Sequence, residues 1–402
     1  IWFGTLNGGT SVMDPKTGNY SHYFTEDKDP GSWSRNYMAR IRPDRDRTIW
    51  FGSFECGLYS LDYPTGIFTH YLHTKDDSLS FGDKTVRDIL QTKDGTIWIA
   101  TESQGLNRFN AETGNFSHYK HDPQNPGSIS SNFGYCLVED QAGFIWIGTS
   151  DKGLNRFDRS SGVFAHYQVD LSNASSLSSN CILALYEDPQ SNLWIGTRSG
   201  GLNKLDPTRR EISVMNLGSE PSGLTIFGIL QDDEGYLWLS SNQGILKVDP
   251  DSGLVNTYTE SDGLQSEFYF SSCVRGDNGL MYFGGGDGYN VFHPDSIKNN
   301  SHVPPIVITG LAINYEPVQL GKSYADRNIL TESISYSKEV HLDYWDKVIS
   351  FKFAALNFSA SYKNQYAYKM EGYDEDWIDA NFENSAQYMN LPPGSYTFHV
   401  RG

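Results

Sequence analysis

The most constraining feature of this sequence is an aromatic phrase that returns at a fixed distance. It begins as IWFGT at residues 1–5 and recurs as IWFGS, IWIAT, IWIGT, LWIGT, LWLSS and MYFGG. Its aromatic anchors are spaced by 48 residues four times and then by 44 residues twice; they are Trp2, Trp50, Trp98, Trp146, Trp194, Trp238 and Tyr282. A period of this size indicates an array of repeated supersecondary units.

The copy around Trp98 shows the content of one unit. Short apolar runs over residues 85–91, 96–101, 106–110 and 116–120 are separated by turns that contain Gly or Asp. Glycine supplies positive φ and aspartate caps tight turns, so this pattern predicts four strands joined by three turns. Four strands per 44 to 48 residues are typical of a β-propeller blade. A helical solenoid would need a 3.6-residue apolar period, which is absent.

Seven anchors predict a seven-bladed propeller over residues 1–300. Because the first phrase starts at Ile1, inside a second strand, we expect the first blade to lack its inner strand and the chain to be a piece of a longer protein. The residue two positions after each anchor is small; these residues are Gly4, Gly52, Ala100, Gly148, Gly196, Ser240 and Gly284. Such positions let neighbouring sheets approach closely, so the anchors are predicted to pack sheets together rather than to contact a ligand.

The period stops after residue 292, and a different kind of region follows. The sequence HVPP at 302–305 predicts a linker, since consecutive prolines favour extended backbone and cannot donate ladder hydrogen bonds. Apolar runs predict short strands over residues 306–313, 340–342, 348–354, 365–371 and 396–400. Short strands and turns over about 100 residues predict an immunoglobulin-like β-sandwich in residues 301–402. The expected fold class is therefore all-β, with a propeller followed by a sandwich.

Charge and composition argue against a nucleic-acid partner, a membrane-spanning segment and a cysteine metal site in this sequence. The formal net charge is −18, whereas nucleic-acid binding relies on Lys and Arg that neutralise phosphates, so no nucleic-acid partner is expected. No apolar run approaches the roughly 20 residues that span a bilayer, so any membrane contact would come from segments outside this sequence. The four cysteines show no metal-binding spacing and are interpreted as small buried residues; they are Cys56, Cys136, Cys181 and Cys273.

Two other features suggest sites and are given structural interpretations. A histidine precedes a tyrosine in the outermost strand of four blades, at His22, His70, His118 and His166. Metal ligands must converge on one ion, and these positions are spread around the rim, so no metal or other cofactor is predicted. The glycine-rich turn at 284–288 joins two strands and does not open a helix, as a phosphate cradle would.

The residues also resemble a known family. The copies FIWIGTSDKGLNRFD (144–158) and LWIGTRSGGLNKLD (193–206) resemble the two-component-regulator propeller repeat, and the tail with YAYKMEGYDEDWID (366–379) and LPPGSYTFHVRG (391–402) resembles the tyrosine-rich sandwich module that follows such propellers. Together they are similar to the periplasmic sensor region of Bacteroidetes hybrid two-component systems. This resemblance implies a periplasmic homodimer that senses a glycan breakdown product and signals across the inner membrane to a histidine kinase. No kinase chemistry falls on these residues, so no catalytic residue and no enzyme activity are predicted.

Ligand contacts are predicted at the mouth of the propeller channel, where the connections between blades and the turns after each second strand meet. The connections are long and varied, which suits a specificity surface. Sugar recognition needs flat aromatic faces and hydrogen-bonding Arg, Asn or Asp side chains. The segment Trp33-Ser34-Arg35-Asn36-Tyr37 combines these properties. The predicted contacts with an oligosaccharide are Trp33, Arg35, Asn36, Tyr37, Phe133, Tyr135, Lys152, Arg198, Phe227 and Tyr269.

Three alternatives stay open. An aromatic residue at the start of an inner strand can simply fill the channel. A propeller enzyme acting on polysaccharide would need two carboxylates roughly 5 to 10 Å apart, and Glu55, Glu102 and Asp151 occupy similar turns on successive blades. A protein-binding scaffold is the third possibility.

Overall fold

In the computed structural model, which describes residues 1–5, 9–23, 38–45, 47–74, 76–217, 223–297, 304–324, 326–357, 361 and 364–402, almost every repeated apolar run is a strand. The chain forms two compact units, Ile1–Ile297 and Lys298–Gly402. The described residues of the first unit build seven antiparallel sheets, with strands in sequence order within each sheet. Short 3₁₀ helices occur at Glu260–Asp262 and Pro294–Ser296.

The first and last of these sheets have three strands each, and the five between them have four. The first sheet contains β1 (Trp2–Gly4), β2 (Thr10–Met13) and β3 (Tyr20–Tyr23). The second contains β4 (Met38–Pro43), β5 (Thr48–Ser53), β6 (Leu58–Asp62) and β7 (Ile67–Tyr71), and the third contains β8 (Val86–Gln91), β9 (Ile97–Thr101), β10 (Leu106–Phe109) and β11 (Phe116–Tyr119).

The remaining four sheets continue the same order along the chain. The fourth contains β12 (Gly134–Glu139), β13 (Ile145–Thr149), β14 (Leu154–Asp158) and β15 (Val163–Tyr167), and the fifth contains β16 (Ile182–Glu187), β17 (Leu193–Thr197), β18 (Leu202–Leu205) and β19 (Ile212–Val214). The sixth contains β20 (Ile226–Gln231), β21 (Leu237–Ser241), β22 (Gly244–Val248) and β23 (Val255–Tyr258), and the last contains β24 (Phe268–Arg275), β25 (Met281–Gly285) and β26 (Gly288–Phe292). The strands β4, β8, β12, β16, β20 and β24 pack successively against one another and are called the inner strands.

The anchor tryptophans lie between neighbouring sheets, as predicted. Trp146, Trp194 and Trp238 are completely buried. The indole N–H of Trp146 donates to the carboxylate of Asp140 over 2.8 Å, and an aspartate six residues earlier serves Trp50, Trp194 and Trp238 in the same way. The third sheet is an exception because Thr92 replaces the aspartate, and the buried Nε1 of Trp98 has no hydrogen-bond partner among the described residues.

The small residues after the anchors have the predicted role as well. A Cβ atom at Gly148 would lie 2.5 Å from Sγ of Cys136 and 2.7 Å from a side-chain carbon of Ile182 on the next sheet. Such contacts are too short for any side chain, so glycine is needed where these sheets approach.

The first and last sheets meet through tyrosines rather than through the repeated joint. Tyr289 stacks on Phe3, with ring centroids 4.7 Å apart, and its hydroxyl lies 2.9 Å from that of Tyr20. The same hydroxyl donates to Sδ of Met13 over 3.8 Å. These contacts close the ring of sheets in the first unit.

The second unit consists of two sheets with an aromatic core. Its strands are β27 (Ile306–Ile313), β28 (Glu316–Pro317), β29 (Val348–Ala355), β30 (Tyr366–Glu371), β31 (Ile378–Asn381), β32 (Ser385–Met389) and β33 (Thr397–Arg401). One sheet has the order β28-β27-β29-β32 and the other has the order β31-β30-β33. Phe353 is completely buried between them, and Phe351 stacks on Phe398 at 4.2 Å. The prediction of an all-β chain, with propeller-type sheets followed by a sandwich, is confirmed.

One predicted strand of the sandwich is wrong, and three were missed. Residues 340–342 form no strand; Val340 and Leu342 instead pack on the cluster around Leu311, Leu330 and Ile349 without backbone pairing. Burial thus accounts for the apolar pattern that suggested a strand. The missed strands β28, β31 and β32 have polar or exposed residues at most positions, so their sequences carry little apolar signal.

Candidate functional site

The starts of the inner strands and the turns after the second strands lie at the same end of the first unit. There, in the third to sixth sheets, the turn after the second strand donates a backbone hydrogen bond to the residue that precedes the inner strand of the same sheet. Ser150 N donates to Phe133 O over 3.1 Å, and Arg198 N donates to Cys181 O over 2.9 Å. Equivalent bonds join Glu102 to Thr85 and Asn242 to Thr225. We call this end of the first unit the mouth.

A bulge opens every inner strand at the mouth. The pairing register shifts by one residue near the start of each of the strands β4, β8, β12, β16 and β20. Four of the bulged residues are Arg87, Tyr135, Leu183 and Phe227, which share one repeat position. A bulge redirects the side chain of its unpaired residue, so this position supplies a different group from each sheet.

The guanidinium of Arg87 lies at the centre of an aromatic group. It is 4.6 Å from the ring centroid of Phe54, 4.9 Å from that of Phe133 and 5.4 Å from that of Tyr135. The same guanidinium forms an ion pair with Oε2 of Glu102 at 2.8 Å. Cation–π contacts and the ion pair together fix Arg87 as a support for the surrounding rings.

Phe270 connects this group to two further sheets. Its ring centroid lies 5.3 Å from that of Phe227 and 6.1 Å from that of Tyr135. The guanidinium of Arg198 lies 5.8 Å from the Phe270 ring. Phe270 is 43% exposed and Arg198 is exposed, so both present surface to solvent. We define the mouth cluster as Phe54, Arg87, Glu102, Phe133, Tyr135, Arg198, Phe227 and Phe270.

The position of Phe270 follows from an irregularity in the last sheet. Five positions separate the paired residues Phe268 and Cys273, whereas three separate the equivalent residues Val86 and Ile89 of the third sheet. The last inner strand therefore carries two additional residues at its bulge. Ser271 adopts a left-handed φ of 50°, which is unfavourable for a residue with a side chain.

Contacts from other sheets hold this enlarged bulge in place. Arg40, on β4, donates to the Ser271 carbonyl over 2.5 Å and forms an ion pair with Asp88 at 2.6 Å. The Ser271 hydroxyl donates to the Leu183 carbonyl over 3.3 Å. Asp88 is buried and also accepts the backbone N–H of Leu137 over 2.7 Å. Arg40 thereby links the second, third and last sheets directly beneath the mouth cluster.

The structure brings four of the predicted contact residues together. Phe133, Tyr135, Arg198 and Phe227 all belong to the mouth cluster. Lys152 is exposed on the turn next to that of Arg198, and its backbone carbonyl accepts the Ser130 hydroxyl over 3.2 Å.

The other predicted contact residues do not belong to the mouth cluster. They are Tyr269, Trp33, Arg35, Asn36 and Tyr37. Tyr269 is half-buried beside Phe270, which supplies the ring contacts with the cluster. Trp33, Arg35, Asn36 and Tyr37 lie outside the described residues.

Sequence reasoning missed Phe54, Arg87, Phe270 and Arg40. The repeat register contained a signal for two of them. Phe54 and Arg198 both lie four residues after their anchors, and Arg87 lies eleven residues before its anchor, as Tyr135 and Phe227 do. Phe270 had no such signal, because the two additional residues shift it out of register.

Three of the connections between blades share one arrangement, although the sequence predicted varied connections. In three of them a serine hydroxyl bonds both ends of one loop. Thr74 N donates to Ser80 Oγ, Asp122 N to Ser128 Oγ and Asp170 N to Ser176 Oγ, each over 3.0 Å. These three connections are therefore part of the repeat, and among the described residues the bulges and turns also vary from sheet to sheet.

The three carboxylates that could serve a polysaccharide-cleaving enzyme differ in their surroundings. Glu102 is paired with Arg87, and Asp151 accepts the hydroxyls of Ser131 and Ser150 over 2.8 and 3.2 Å. Glu55 is exposed, with a left-handed φ of 73°. Burial raises the pKa of the nearby Cys181 thiol, which favours its neutral form. The described mouth thus presents aromatic rings, an arginine paired with Glu102 and the exposed Arg198.

The rim histidines serve their own sheets. His70 Nε2 lies 2.7 Å from Cys56 O, and His166 Nε2 lies 2.8 Å from Ser128 O. Within the described ranges, no group of three or more His, Cys, Asp or Glu side chains is arranged to hold a metal ion. A search of the same residues finds no helix that is both long and apolar enough to cross a membrane.

Family comparisons agree with the sequence resemblance. The family described as two component regulator propeller matches residues 80–103, 127–151 and 176–199, and the Y_Y_Y domain matches residues 357–402. Propeller repeats followed by the tyrosine-rich module, as inferred from the sequence, are thereby confirmed.

A curated relative carries the same association with signalling. Histidine kinase P4 of Formosa agariphila is 38% identical over 180 residues, which are 44% of this chain and 13% of that protein. The chain therefore spans about an eighth of the curated relative that it matches.

The solved structures that align with this chain belong to proteins of different functions. The extracellular domain of a hybrid two-component system of B. thetaiotaomicron aligns with 99% of this chain and 70% of its own, at 20% identity and a TM-score of 0.40. PorZ, a surface component of the type-IX secretion system of Porphyromonas gingivalis, aligns with 100% of this chain and 55% of its own, at 15% identity and a TM-score of 0.56. Virginiamycin B lyase of Staphylococcus aureus aligns with 70% of this chain and 86% of its own, at 13% identity and a TM-score of 0.52. A secretion component and a lyase share this fold, so fold alone does not assign the function.

Proposed function

We propose that this chain is a ligand-sensing segment of a hybrid two-component histidine kinase, located in the periplasm, and that it binds a glycan-derived oligosaccharide at the mouth cluster. The propeller repeats, the Y_Y_Y domain and the relative with a histidine kinase name support the signalling role. The sandwich would pass the signal towards the membrane and the kinase. A homodimer of the intact receptor stays a prediction, which light scattering of the purified protein would test.

The observation that carries the proposed ligand is the half-exposed aromatic surface at the mouth. Phe270 is 43% exposed, and its ring adjoins those of Tyr135 and Phe227. Flat rings cover the C–H faces of sugars, while Arg198 offers hydrogen bonds to hydroxyl groups. The rings come from three sheets on a rigid support, which reduces the entropy lost on binding.

Calorimetric titration of the purified chain with a panel of oligosaccharides tests this proposal. A saccharide that binds to the native chain should lose about tenfold in affinity with Phe270→Ala or Tyr135→Ala, the usual cost of one aromatic contact. Tyr63→Ala is the matched control, because Tyr63 is 57% exposed after the third strand of the second sheet, outside the mouth cluster. Binding that is unchanged in both mouth variants would place the ligand elsewhere and refute the proposed site.

Mass spectrometry of the same mixtures separates a sensor from an enzyme. A sensor leaves the saccharide intact. Products that accumulate with the native chain and disappear with Glu55→Gln or Asp151→Asn would contradict the sensing role in favour of polysaccharide cleavage.

A further inference from the structure

The charge balance of the mouth cluster narrows the class of saccharide. The cluster contains two guanidinium groups, from Arg87 and Arg198, and one carboxylate, from Glu102. The Glu102 carboxylate is 2.8 Å from Arg87, so these two charges neutralise each other. Arg198 therefore leaves the cluster with one uncompensated positive charge.

Arg198 differs in this respect from four arginines that join sheets through ion pairs. Arg40, Arg159, Arg209 and Arg275 each form an ion pair with an aspartate or glutamate. Among the described residues, Arg198 takes part in no ion pair, and its recorded side-chain contact is the ring of Phe270 at 5.8 Å. The nearby carboxylate of Asp151 is engaged by two serine hydroxyls. The chain as a whole has a formal charge of −18, so the exposed guanidinium of Arg198 places a positive charge at the mouth of an otherwise acidic protein.

The enlarged bulge of the last sheet places an aromatic face beside this cation. Arg40 and Leu183 fix Ser271, and Phe270 next to it is held against the rings of Tyr135 and Phe227. The ring and the guanidinium together form an amphipathic surface: the ring can cover a sugar face, and the guanidinium can donate two parallel hydrogen bonds to an oxyanion.

We infer that the ligand of the mouth is an acidic saccharide, whose carboxylate or sulfate group binds to Arg198 while an adjoining sugar ring stacks on Phe270. This inference rests on the proposed function and specifies its ligand class. Arg87 acts differently, as a positioning residue that orders Phe54, Phe133 and Tyr135. Lys152, on the neighbouring turn, adds positive charge to the same side of the mouth.

Titration with matched pairs of oligosaccharides tests the inference. The first pair is an oligogalacturonate and its fully methyl-esterified form, and the second is a sulfated carrageenan oligosaccharide and its desulfated form. The charged member of one pair should bind more tightly than its neutral form, and the pair that responds identifies carboxylate or sulfate as the recognised group. Raising the salt concentration should weaken only the charged interaction.

Variants of Arg198 assign that preference to one side chain. Arg198→Gln should lower the affinity for the charged member about 10- to 100-fold, as expected for a charge-assisted bidentate contact, and change the affinity for the neutral form less than about threefold. Arg198→Lys keeps the charge but loses the fork geometry and should fall between the two. Arg108→Gln is the matched control, because Arg108 is exposed and lies 5.9 Å from the ring of Trp98, in the third strand of its sheet.

Three outcomes would overturn the inference, and they differ in what they leave standing. Neutral forms that bind as tightly as charged forms, with no effect of Arg198→Gln, refute the acidic ligand and leave the proposed function intact. A charge preference that persists in Arg198→Gln and is lost in Arg108→Gln refutes the assignment to Arg198. If no member of either pair and no neutral oligosaccharide of the wider panel binds, both the inference and the proposed function fail.

Discussion

The fourth and last sheets of the propeller are built from the same repeat. The fourth sheet keeps the features of that repeat, whereas the last sheet departs from them. In the fourth sheet, Trp146 is completely buried and bonded to Asp140, and the inner strand has a bulge of one residue. In the last sheet, Tyr282 replaces the tryptophan, Gly276 replaces the aspartate, and the inner strand carries two additional residues that place Phe270 at the mouth. The apolar pairing of the inner strand with its neighbour is kept in both, between Leu137 and Ile147 and between Cys273 and Phe283.

This difference shows where the repeat tolerates change. The middle of each inner strand packs against two neighbours, so a shift in register there would expose its apolar residues. The mouth end is bounded by solvent, and extra residues there cost only local strain. The two additional residues of the last inner strand accordingly lie at the mouth, where the proposed ligand contacts are.

The largest expected effect concerns the support of the enlarged bulge. Arg40→Ala removes the ion pair with the buried Asp88 and the bond to the Ser271 carbonyl, so the free energy of unfolding should fall by about 3 kcal/mol. Hydrogen exchange of residues 269–272 should accelerate as well. Arg275→Ala is the control, because its partner Asp233 is largely exposed, and it should cost less than about 1 kcal/mol. Equal losses in the two variants would show that Arg40 has no special role beneath the mouth.

A second test compares a regular joint with the exceptional third sheet. Trp146→Phe removes a buried hydrogen bond and leaves Oδ2 of Asp140 without its indole partner, whereas Trp98→Phe removes an indole N–H that has no partner in the described structure. The first substitution should therefore destabilise the chain by about 1 to 2 kcal/mol more than the second. Urea unfolding followed by circular dichroism measures both. A larger loss with Trp98→Phe would contradict the role of the aspartate in the joint.

Glycine substitutions test the close approach of sheets directly. Gly148→Ala would force its Cβ against Cys136 and Ile182 and should cost about 1 to 3 kcal/mol. At the equivalent position of the last sheet, a Cβ on Gly284 would meet its nearest atom, the Cβ of Ser272, at 3.3 Å. Gly284→Ala should accordingly be milder, and thermal unfolding of the two variants gives the comparison. Tolerance of Gly148→Ala would mean that the sheets can separate at this joint.

The smallest expected effect concerns the turns between the third and fourth strands. Hydrogen bonds from Ser160 hold the pKa of Asp158 down at about 2, below its usual value of 3.8. Because the folded pKa is lowered, the contribution of Asp158 to stability is complete above about pH 4 and is lost as the pH falls towards 2.

Asp158→Asn separates this titration from the turn geometry. Asn110 already accepts the equivalent backbone bonds in the third sheet, so the variant should keep the turn. Its melting temperature should lie below that of the native chain at pH 6 and approach it at pH 2. A difference that does not change with pH would exclude the lowered pKa as its cause.

Much of the fold could be predicted from the sequence because each repeat encodes its own strands and turns. The anchors and the small residues after them make the same contact in successive sheets, so seven copies of the pattern indicate one structure. The sandwich lacks this redundancy. Residues 340–342 were consequently mistaken for a strand, and the strands β28, β31 and β32 were missed.

Only part of the candidate site could be predicted from the repeat pattern of the sequence. Phe133, Tyr135, Arg198 and Phe227 were found because they stand at repeat positions that face the mouth. Arg87 occupies such a position as well, but nothing in its neighbourhood along the chain indicates that three rings surround it.

The sequence alone determined the repeat, the strand order within each sheet and the residues that join neighbouring sheets, because these contacts are local and recur at fixed spacing. Tertiary structure alone decided that Phe54 and Phe270, more than 200 residues apart, belong to one cluster around Arg87 and Tyr135. The reason is geometric: closing the ring brings the starts of all inner strands to one mouth, and two additional residues in the last strand carry Phe270 across it.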